Sequence, residues 1–552
     1  MRKESIGMER SGRKIIQNND LSKKFFQGAF ILTLSTVFIK LLSALYRIPY
    51  QNVVGDVGFY IYQQVYPFYS FALVLSTYGF PVIISKLIAE SKEVKREYTR
   101  SEIVASSWLS ISVISLFMFS CLFFGAYFIA DLMNDHMLVK SIQFIAFSFL
   151  FMPVLSVLKG LFQSDGEMIP TAVSQVTEQS VRVGCILIAS FLFYSYGLSL
   201  YEVAEGAFIG SVLGSLVSSI VLISYYVKKR KNKKVIAFDS LRIKKVIIPL
   251  SKKIIIQGII FSISSLILVF IQFMDALILY PLLTDSGMEM TEAKEWKGVY
   301  DRGQPLLHLG TAATISLSLT IVPLISKYKQ QQNLESIRYY TELSFRLSLM
   351  LGMAAAVGLF FIIEPMNITL FENSKGSQEL AILVLSIFFC SLLMTGIFIL
   401  QSLERPFISI VIIAIGLLVK FLLMMLLIPK LYIMGAAIST TAAFFVMALL
   451  LWIMMKIIYK KSIFQSKTII LTIVSSIGMT LVLLVIDQVF TIMHGYIDHI
   501  RILSVIQVLI SVSVGAFIYM MIIIRNGMFT REELSLLPLG SKLSKFLPPN
   551  RR

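Results

Sequence analysis

A chain of 552 residues that is 56% hydrophobic and only 15% charged, with a mean hydropathy of +0.79, cannot bury its apolar surface in a water-soluble core. It reads as an all-α polytopic membrane protein; the short alternating segments of a transmembrane barrel are absent. The formal net charge of +18 would suit nucleic acid, but the cations are sorted by membrane side, which excludes nucleic acid as the partner.

The basic, polar tail 1–24 precedes an apolar run too long for a signal-peptide core. No small-residue cleavage site closes that run, so it is expected to stay as a signal-anchor. From Phe25 to Ile48 the run is long enough to cross the hydrocarbon at about 1.5 Å per residue. Lys40 lies near its middle and Arg47 near its far end. A bare cation at mid-membrane costs about 2.5–3.5 kcal/mol. Seven residues is two helical turns less about 20°, so both cations share a face that calls for an anion or a wet cavity. The plainer alternative has Arg47 reaching the interface and Lys40 paired with a carboxylate on another helix.

Hydropathy divides the chain into fourteen predicted spans: 25–48, 58–84, 103–130, 138–161, 171–195, 203–227, 254–280, 303–325, 341–363, 379–403, 407–428, 433–455, 468–490 and 502–524. With the N-terminus inside, the even-numbered connections and the two tails hold most of the 50 Lys and Arg, so both termini are predicted to be cytoplasmic. The densest basic block, Lys228–Lys253, faces anionic lipid. No connection has room for an extracytoplasmic catalytic domain. The three cysteines, Cys121, Cys185 and Cys390, sit inside apolar runs and the four histidines are scattered, which suggests neither disulfides nor a metal site.

The second half repeats the first. Gln27-Gly28 and Gln257-Gly258 open spans one and seven, Pro81–Lys86 and Pro323–Lys327 close spans two and eight, Gln163-Ser164 and Gln401-Ser402 end spans four and ten, and Gly206-Ala207 and Gly435-Ala436 begin spans six and twelve. Six spans per unit restore orientation. The pattern therefore predicts two parallel six-helix repeats around a central cavity, plus two extra C-terminal helices. The expected domains are a basic tail 1–24, a bundle 25–227, a connector 228–253, a second bundle 254–455, helices thirteen and fourteen within 456–524, and a basic tail 525–552.

Repeat matching pairs Arg182 in span five with Lys420 in span eleven. Glu178 stands four residues before Arg182, the favourable orientation for a neutralising intrahelical pair. Lys420, in GLLVKFLLMM, has no such neighbour and must find an anion elsewhere or face water. Asp275 in span seven matches Leu45 and so lies level with Arg47. Span eight opens with Asp301, Arg302, Gly303, Gln304 and Pro305, a composition that suits a discontinuous helix lining a transporter site. An exposed loop end is the alternative for Asp301 and Arg302, and hydrogen-bonded packing is the simpler role for His308.

Three stretches carry a resemblance: DRGQP followed by a helix ending VPLISK, PTAVSQVTEQ at Pro170–Gln179, and LIPKLYIMGAAIST at Leu427–Thr440. They resemble the polysaccharide-biosynthesis family typified by stage V sporulation protein B and the lipid II flippases, within the multidrug/oligosaccharidyl-lipid/polysaccharide exporter superfamily. YRIPYQN and YGFPVIISK are similar to its Gram-positive, sporulation-type members. The resemblance implies a cationic cavity with Lys40, Arg47 and Arg302 at the family's arginine positions and Asp56 at its acidic position in span two. Lys40 departs from the usual arginine, and the family's span-two arginine has no equivalent in SFALVLSTYGF.

The implied function is that of a flippase, not an enzyme. It carries a polyprenyl-diphosphate-linked sugar such as lipid II across the bacterial plasma membrane by alternating access, with membrane lipids and envelope-synthesis enzymes as partners. No cofactor is implied, and a coupling ion or the membrane potential supplies the drive. A cation-coupled multidrug antiporter of the same superfamily is one alternative. A polyprenyl-donor membrane glycosyltransferase or ligase is another. The predicted orientation is directly testable. Cysteines introduced at Ser286 and Ser374 are expected to react with an impermeant thiol reagent in intact cells, and one at Asn232 only after permeabilisation; labelling of Asn232 in sealed cells overturns the topology.

Overall fold

The computed structural model describes residues 35, 38–39, 41–91, 98–230, 246–460, 466–495, 499–530 and 533, and every regular element among them is helical. Lys40, the tail 1–24 and the connector between 231 and 245 lie outside the described residues. Eleven of the described helices are long and apolar enough to cross a membrane. Leu41–Glu90 holds the end of span one together with span two, Pro406–Tyr459 holds spans eleven and twelve, and span seven is divided between two helices. The chain is thus an all-α membrane protein whose helices are compatible with fourteen crossings.

Backbone breaks fall where the residue chemistry permits them. Helix α1 (Arg47–Val74) turns at Gly55, whose φ of 70° is open to glycine without steric cost. It is followed by a π-helical turn, Leu75–Gly79, and by α2 (Phe80–Glu90).

The chain divides into two compact units: Met1–Tyr46 with Val65–Val269, and Arg47–Gln64 with Phe270–Arg552. The first unit includes α3 (Arg100–Phe124), α4 (Ala126–Leu132), α5 (Val139–Ala146), α6 (Met152–Ser164), α7 (Ile169–Ser195), α8 (Leu200–Arg230) and α9 (Ile248–Ser265). Thr99 and Glu102 form a reciprocal capping box at the start of α3. Helices α7 and α8 pack at very short range because Gly214 carries no Cβ; one built there would lie 2.8 Å from the Glu178 carbonyl oxygen. Helix α9 packs on α2, α3 and the π-helical turn, so the start of span seven belongs with this unit rather than with the residues after Val269.

The second unit holds most of α10 (Ile267–Asp285), then α11 (Met290–Asp301), α12 (Gly303–Gln330), α13 (Leu334–Phe361), α14 (Ile363–Phe371), α15 (Ser377–Ser402), α16 (Pro406–Tyr459), α17 (Ser466–His494) and α18 (Ile500–Arg525). Helix α16 is broken at Tyr432, which has a positive φ of 50°, three residues after Pro429. That break separates the predicted spans eleven and twelve. Helices α17 and α18 pack on each other and against α13 and α14. Beyond α18, buried Glu533 meets the half-buried Arg346 of α13, and Tyr339 donates to the same carboxylate at 3.2 Å.

Candidate functional site

The site is built around the joint between α11 and α12 in the second unit. Helix α11 ends at Asp301, Arg302 is the joint, and α12 begins at Gly303. A Cβ on Gly303 would fall 2.3 Å from the terminal Cδ2 of Leu383, so that side chain would have to turn aside. A Cβ on Gly298 would fall 2.0 Å from the Asp56 carbonyl oxygen, so glycine also lets α11 rest directly on the backbone of the Arg47–Gln64 segment. Gly298 thus brings α11, and with it Arg302, to Asp56.

Arg302 is fully buried and its guanidinium is completely engaged. Nε donates to Asp56 Oδ1 at 2.9 Å and Nη2 to Oδ2 at 2.6 Å, a two-pronged carboxylate pair. Nη1 donates to the side-chain oxygens of Asn367 at 3.1 Å and Asn373 at 2.8 Å. The ring of Phe371 lies 5.2 Å beneath the guanidinium, and Gln51 adds a hydrogen bond to Asp56 at 2.9 Å.

A second buried pair lies on α10 and α16. Lys420 Nζ stands 2.6 Å from Asp275 Oδ1 and donates to Thr440 Oγ1 at 2.7 Å. Thr440 and Tyr300 share a 2.9 Å hydrogen bond, and Tyr300 donates to Asp275 at 3.4 Å. With the ammonium donating to Thr440 and Tyr300 donating to Asp275, the Thr440 hydroxyl donates to Tyr300, which closes a ring of four groups. A third pair is local: Lys297 reaches both oxygens of Asp301 at 2.8 and 2.6 Å, one helical turn apart on α11. Burial pushes the Asp301 carboxyl up to about 6, against the opposing charges of Lys297 and Arg47.

The sequence-predicted residues therefore sort clearly. Asp56 joins Arg302, Asp275 joins Lys420, and Asp301 and Arg302 are buried rather than at an exposed loop end. Gln304 accepts from Gln272 at 2.9 Å, and Gln272 also meets His308 at 3.2 Å, so His308 takes the packing role. Arg47 is 1% exposed and belongs to the same unit, whereas Glu178 and Arg182 lie in a separate cluster of the first unit. Lys40 is outside the described residues. Sequence reasoning missed Lys297, Tyr300, Thr440, Asn367 and Asn373. Only Lys297 left a local signal, its i,i+4 spacing to Asp301.

Comparison with known proteins decides the family. Residues 25–329 match the family described as polysaccharide biosynthesis protein. The chain is 40% identical over 530 residues to the uncharacterized membrane protein YabM of Bacillus subtilis (strain 168), covering 95% of this chain and 96% of that one. The chain belongs to the polysaccharide biosynthesis protein family. Residues 311–507 also match lipid II flippase MurJ. Stage V sporulation protein B of the same organism is 28% identical over 77% of this chain and 82% of that one. Among solved structures, lipid II flippase MurJ in an inward closed conformation is similar with a TM-score of 0.66 at 16% identity, covering 89% of this chain and 98% of that one. An inward-facing multidrug resistance MATE transporter has a TM-score of 0.59 at 14% identity, covering 77% and 98%. The fold of this family member is thus that of the MurJ and MATE transporters.

The Lys420–Asp275 pair predicts a particular stability pattern. Lys420→Met strands a buried carboxylate and is expected to destabilise the protein by about 3–5 kcal/mol. Adding Asp275→Asn removes that charge and is expected to restore most of the loss, read as the midpoint of thermal unfolding in detergent. Equal midpoints for wild type and Lys420→Met would show that the pair carries no such weight.

Proposed function

We propose that this family member moves a polyprenyl-diphosphate-linked sugar from the inner to the outer leaflet of the bacterial plasma membrane by alternating access, with both termini cytoplasmic. The observation that carries the reading is the fork of Arg302 on Asp56. A guanidinium held to offer two parallel N–H donors to a carboxylate presents the geometry that a diphosphate oxygen pair requires. Diphosphate and sugar hydroxyls cannot cross hydrocarbon unaided, and fixed cations replace the lost water around them. Arg47, Arg302 and Lys420 are assigned this role. The similarity to lipid II flippase MurJ supports the same cargo class.

The buried carboxylates add a step to this reading. Arg302 and Lys420 already hold Asp56 and Asp275, so a headgroup binds by exchange: the diphosphate takes the guanidinium as Asp56 gives it up, and Asp56 reclaims it on release. An internal anion keeps the empty site neutral enough to stay folded. It also prevents the cargo from binding irreversibly.

The multidrug resistance MATE transporters share the fold, but the two-pronged guanidinium of Arg302 suits an anionic headgroup rather than a cation. A liposome assay separates the two readings by comparing flipping of a fluorescent undecaprenyl-diphosphate-linked sugar with transport of a cationic dye. Arg302→Ala is expected to weaken cargo binding by the worth of a charged hydrogen bond, about 1.5–3 kcal/mol or roughly 10- to 150-fold. Arg302→Lys keeps part of the function, and Arg302→Glu is worse than alanine. Asp56→Asn is expected to bind the diphosphate more tightly yet turn over more slowly, because release loses its competitor. If Arg302→Glu, at normal membrane levels, flips the lipid-linked sugar as well as wild type, the anion-exchange mechanism is wrong.

A further inference from the structure

The Arg47–Gln64 segment carries a set of buried amides that the exchange at Arg302 does not use. After the break at Gly55 the chain is helical, so Asp56, Tyr60, Gln63 and Gln64 fall within about 100° of arc on one face. Their contacts show what that face looks onto. Asp56 meets Arg302 at the joint of α11 and α12, and the ring of Tyr60 lies 5.2 Å from that of Tyr280. Gln64 Nε2 donates at 2.9 Å to the Ala276 carbonyl of α10. Gln51 stands before the break and donates its own amide nitrogen to Asp56 at 2.9 Å.

These side chains are sealed from solvent: Gln51 is 4% exposed, Gln63 5% and Gln64 0%. The side-chain oxygen of each is buried with no hydrogen-bond partner among the described residues. For Gln51 and Gln64 the bonded atom must be the nitrogen, because a carboxylate and a peptide carbonyl can only accept. What each has left to offer is therefore an acceptor. Leaving a buried acceptor unmet is costly, so these oxygens call for donors.

The chemistry of the ligand follows from that requirement. Ionised phosphate oxygens only accept, so a diphosphate does not satisfy these amides. Hydroxyl and N–H groups do, and in a lipid-linked sugar they belong to the sugar. Hard cations also bind oxygen, but they favour carboxylates, and the two carboxylates beside these amides, Asp56 and Asp275, already hold Arg302 and Lys420. Along the helix Gln64 lies about 12 Å from Asp56, the reach of a diphosphate with a sugar attached to it. Tyr60 and Tyr280, both fully buried, stand between the two ends and offer ring faces to the C–H surface of a sugar.

We propose that Gln51, Gln63 and Gln64 form a sugar-reading subsite beside Arg302, whose amide oxygens accept hydrogen bonds from the hydroxyl and N–H groups of the sugar while the guanidinium holds the diphosphate. The inference rests on the flippase reading and assigns the part of the cargo that gives selectivity. A carrier that reads the sugar also tells the loaded lipid from the bare one.

The test is equilibrium binding to the purified full chain in nanodiscs, comparing undecaprenyl diphosphate with the same lipid bearing N-acetylglucosamine. Wild type is expected to prefer the sugar-bearing lipid, with each amide contributing about 2- to 10-fold. Gln63→Met and Gln64→Met are each expected to reduce the preference by that factor, with the loss confined to the sugar-bearing lipid. A sugar whose free hydroxyls are replaced by fluorine, which cannot donate, is expected to lose most of the preference on wild type, with no variant needed. Equal affinity of wild type for the two lipids overturns the proposal. So does a loss of the same size for both lipids in the glutamine variants, or a preference that survives fluorination intact. Arg302→Ala separates this subsite from the reading it rests on, because it is expected to weaken both lipids by the same factor. If Arg302→Ala weakens neither, the diphosphate site is wrong, while the sugar preference and its dependence on Gln63 and Gln64 are still decided by their own measurements.

Discussion

A guanidinium taken wholly out of water is the constraint around which the second unit is arranged. Arg302 has no exposed surface, and a single unmet charge in such a place would cost several kcal/mol. Its environment is accordingly complete: a carboxylate fork, two asparagine oxygens and an aromatic face. Gly298 makes this enclosure possible, since a methyl group there would push α11 from the Asp56 backbone, whereas one at Gly303 would meet only the end of the Leu383 side chain. The sequence DRGQP is thus a packing instruction as much as a ligand motif. Its arginine supplies the charge, and its glycine lies against the Leu383 side chain.

Much of this architecture is legible in the chain because the bilayer imposes local rules. Hydropathy places the spans, and the boundaries it sets between spans one and two and between spans eleven and twelve contain the backbone breaks at Gly55 and Tyr432. Candidate charges are also visible, since an ionisable residue inside an apolar run always requires explanation. Partners are far less visible. Lys420 finds Asp275, which lies 145 residues earlier, and Arg302 finds Asp56 across 246 residues, with nothing in the local spacing to join either pair. Thr440 and Tyr300 looked like ordinary span residues until the ring of hydrogen bonds around Lys420 gave them a purpose. Asn367 sits in the middle of the short helix α14 and Asn373 just beyond it, and neither carries a local signal.

The repeat match between Arg182 and Lys420 shows how far sequence symmetry extends. Both positions hold a buried cation, as internal repetition suggests. The solutions then diverge. Lys420 is satisfied by a carboxylate and a hydroxyl, whereas Arg182 is wrapped by three tyrosine rings, a tyrosine hydroxyl and a glutamine. Side-chain chemistry accounts for the difference. A flat, weakly hydrated guanidinium stacks on aromatic faces, while a compact ammonium needs oxygen close at hand.

The separation in sequence between a cation and its anion also says what each pair can do. Lys297 and Asp301 stand one turn apart on a single helix, so any motion of α11 carries both and the pair persists. It stabilises and orients but cannot report on anything. Arg302–Asp56 and Lys420–Asp275 join distant stretches of chain, and their partners can separate while every helix stays folded. Breaking either without a substitute leaves two buried charges exposed to each other's absence. An incoming anion of matching geometry removes that penalty on the cation side, and solvation of the released carboxylate removes it on the other. Long-range pairs of this kind are therefore stable yet separable, which is what the proposed exchange against a diphosphate requires. A buried cation with no internal anion would instead bind an incoming anion and keep it.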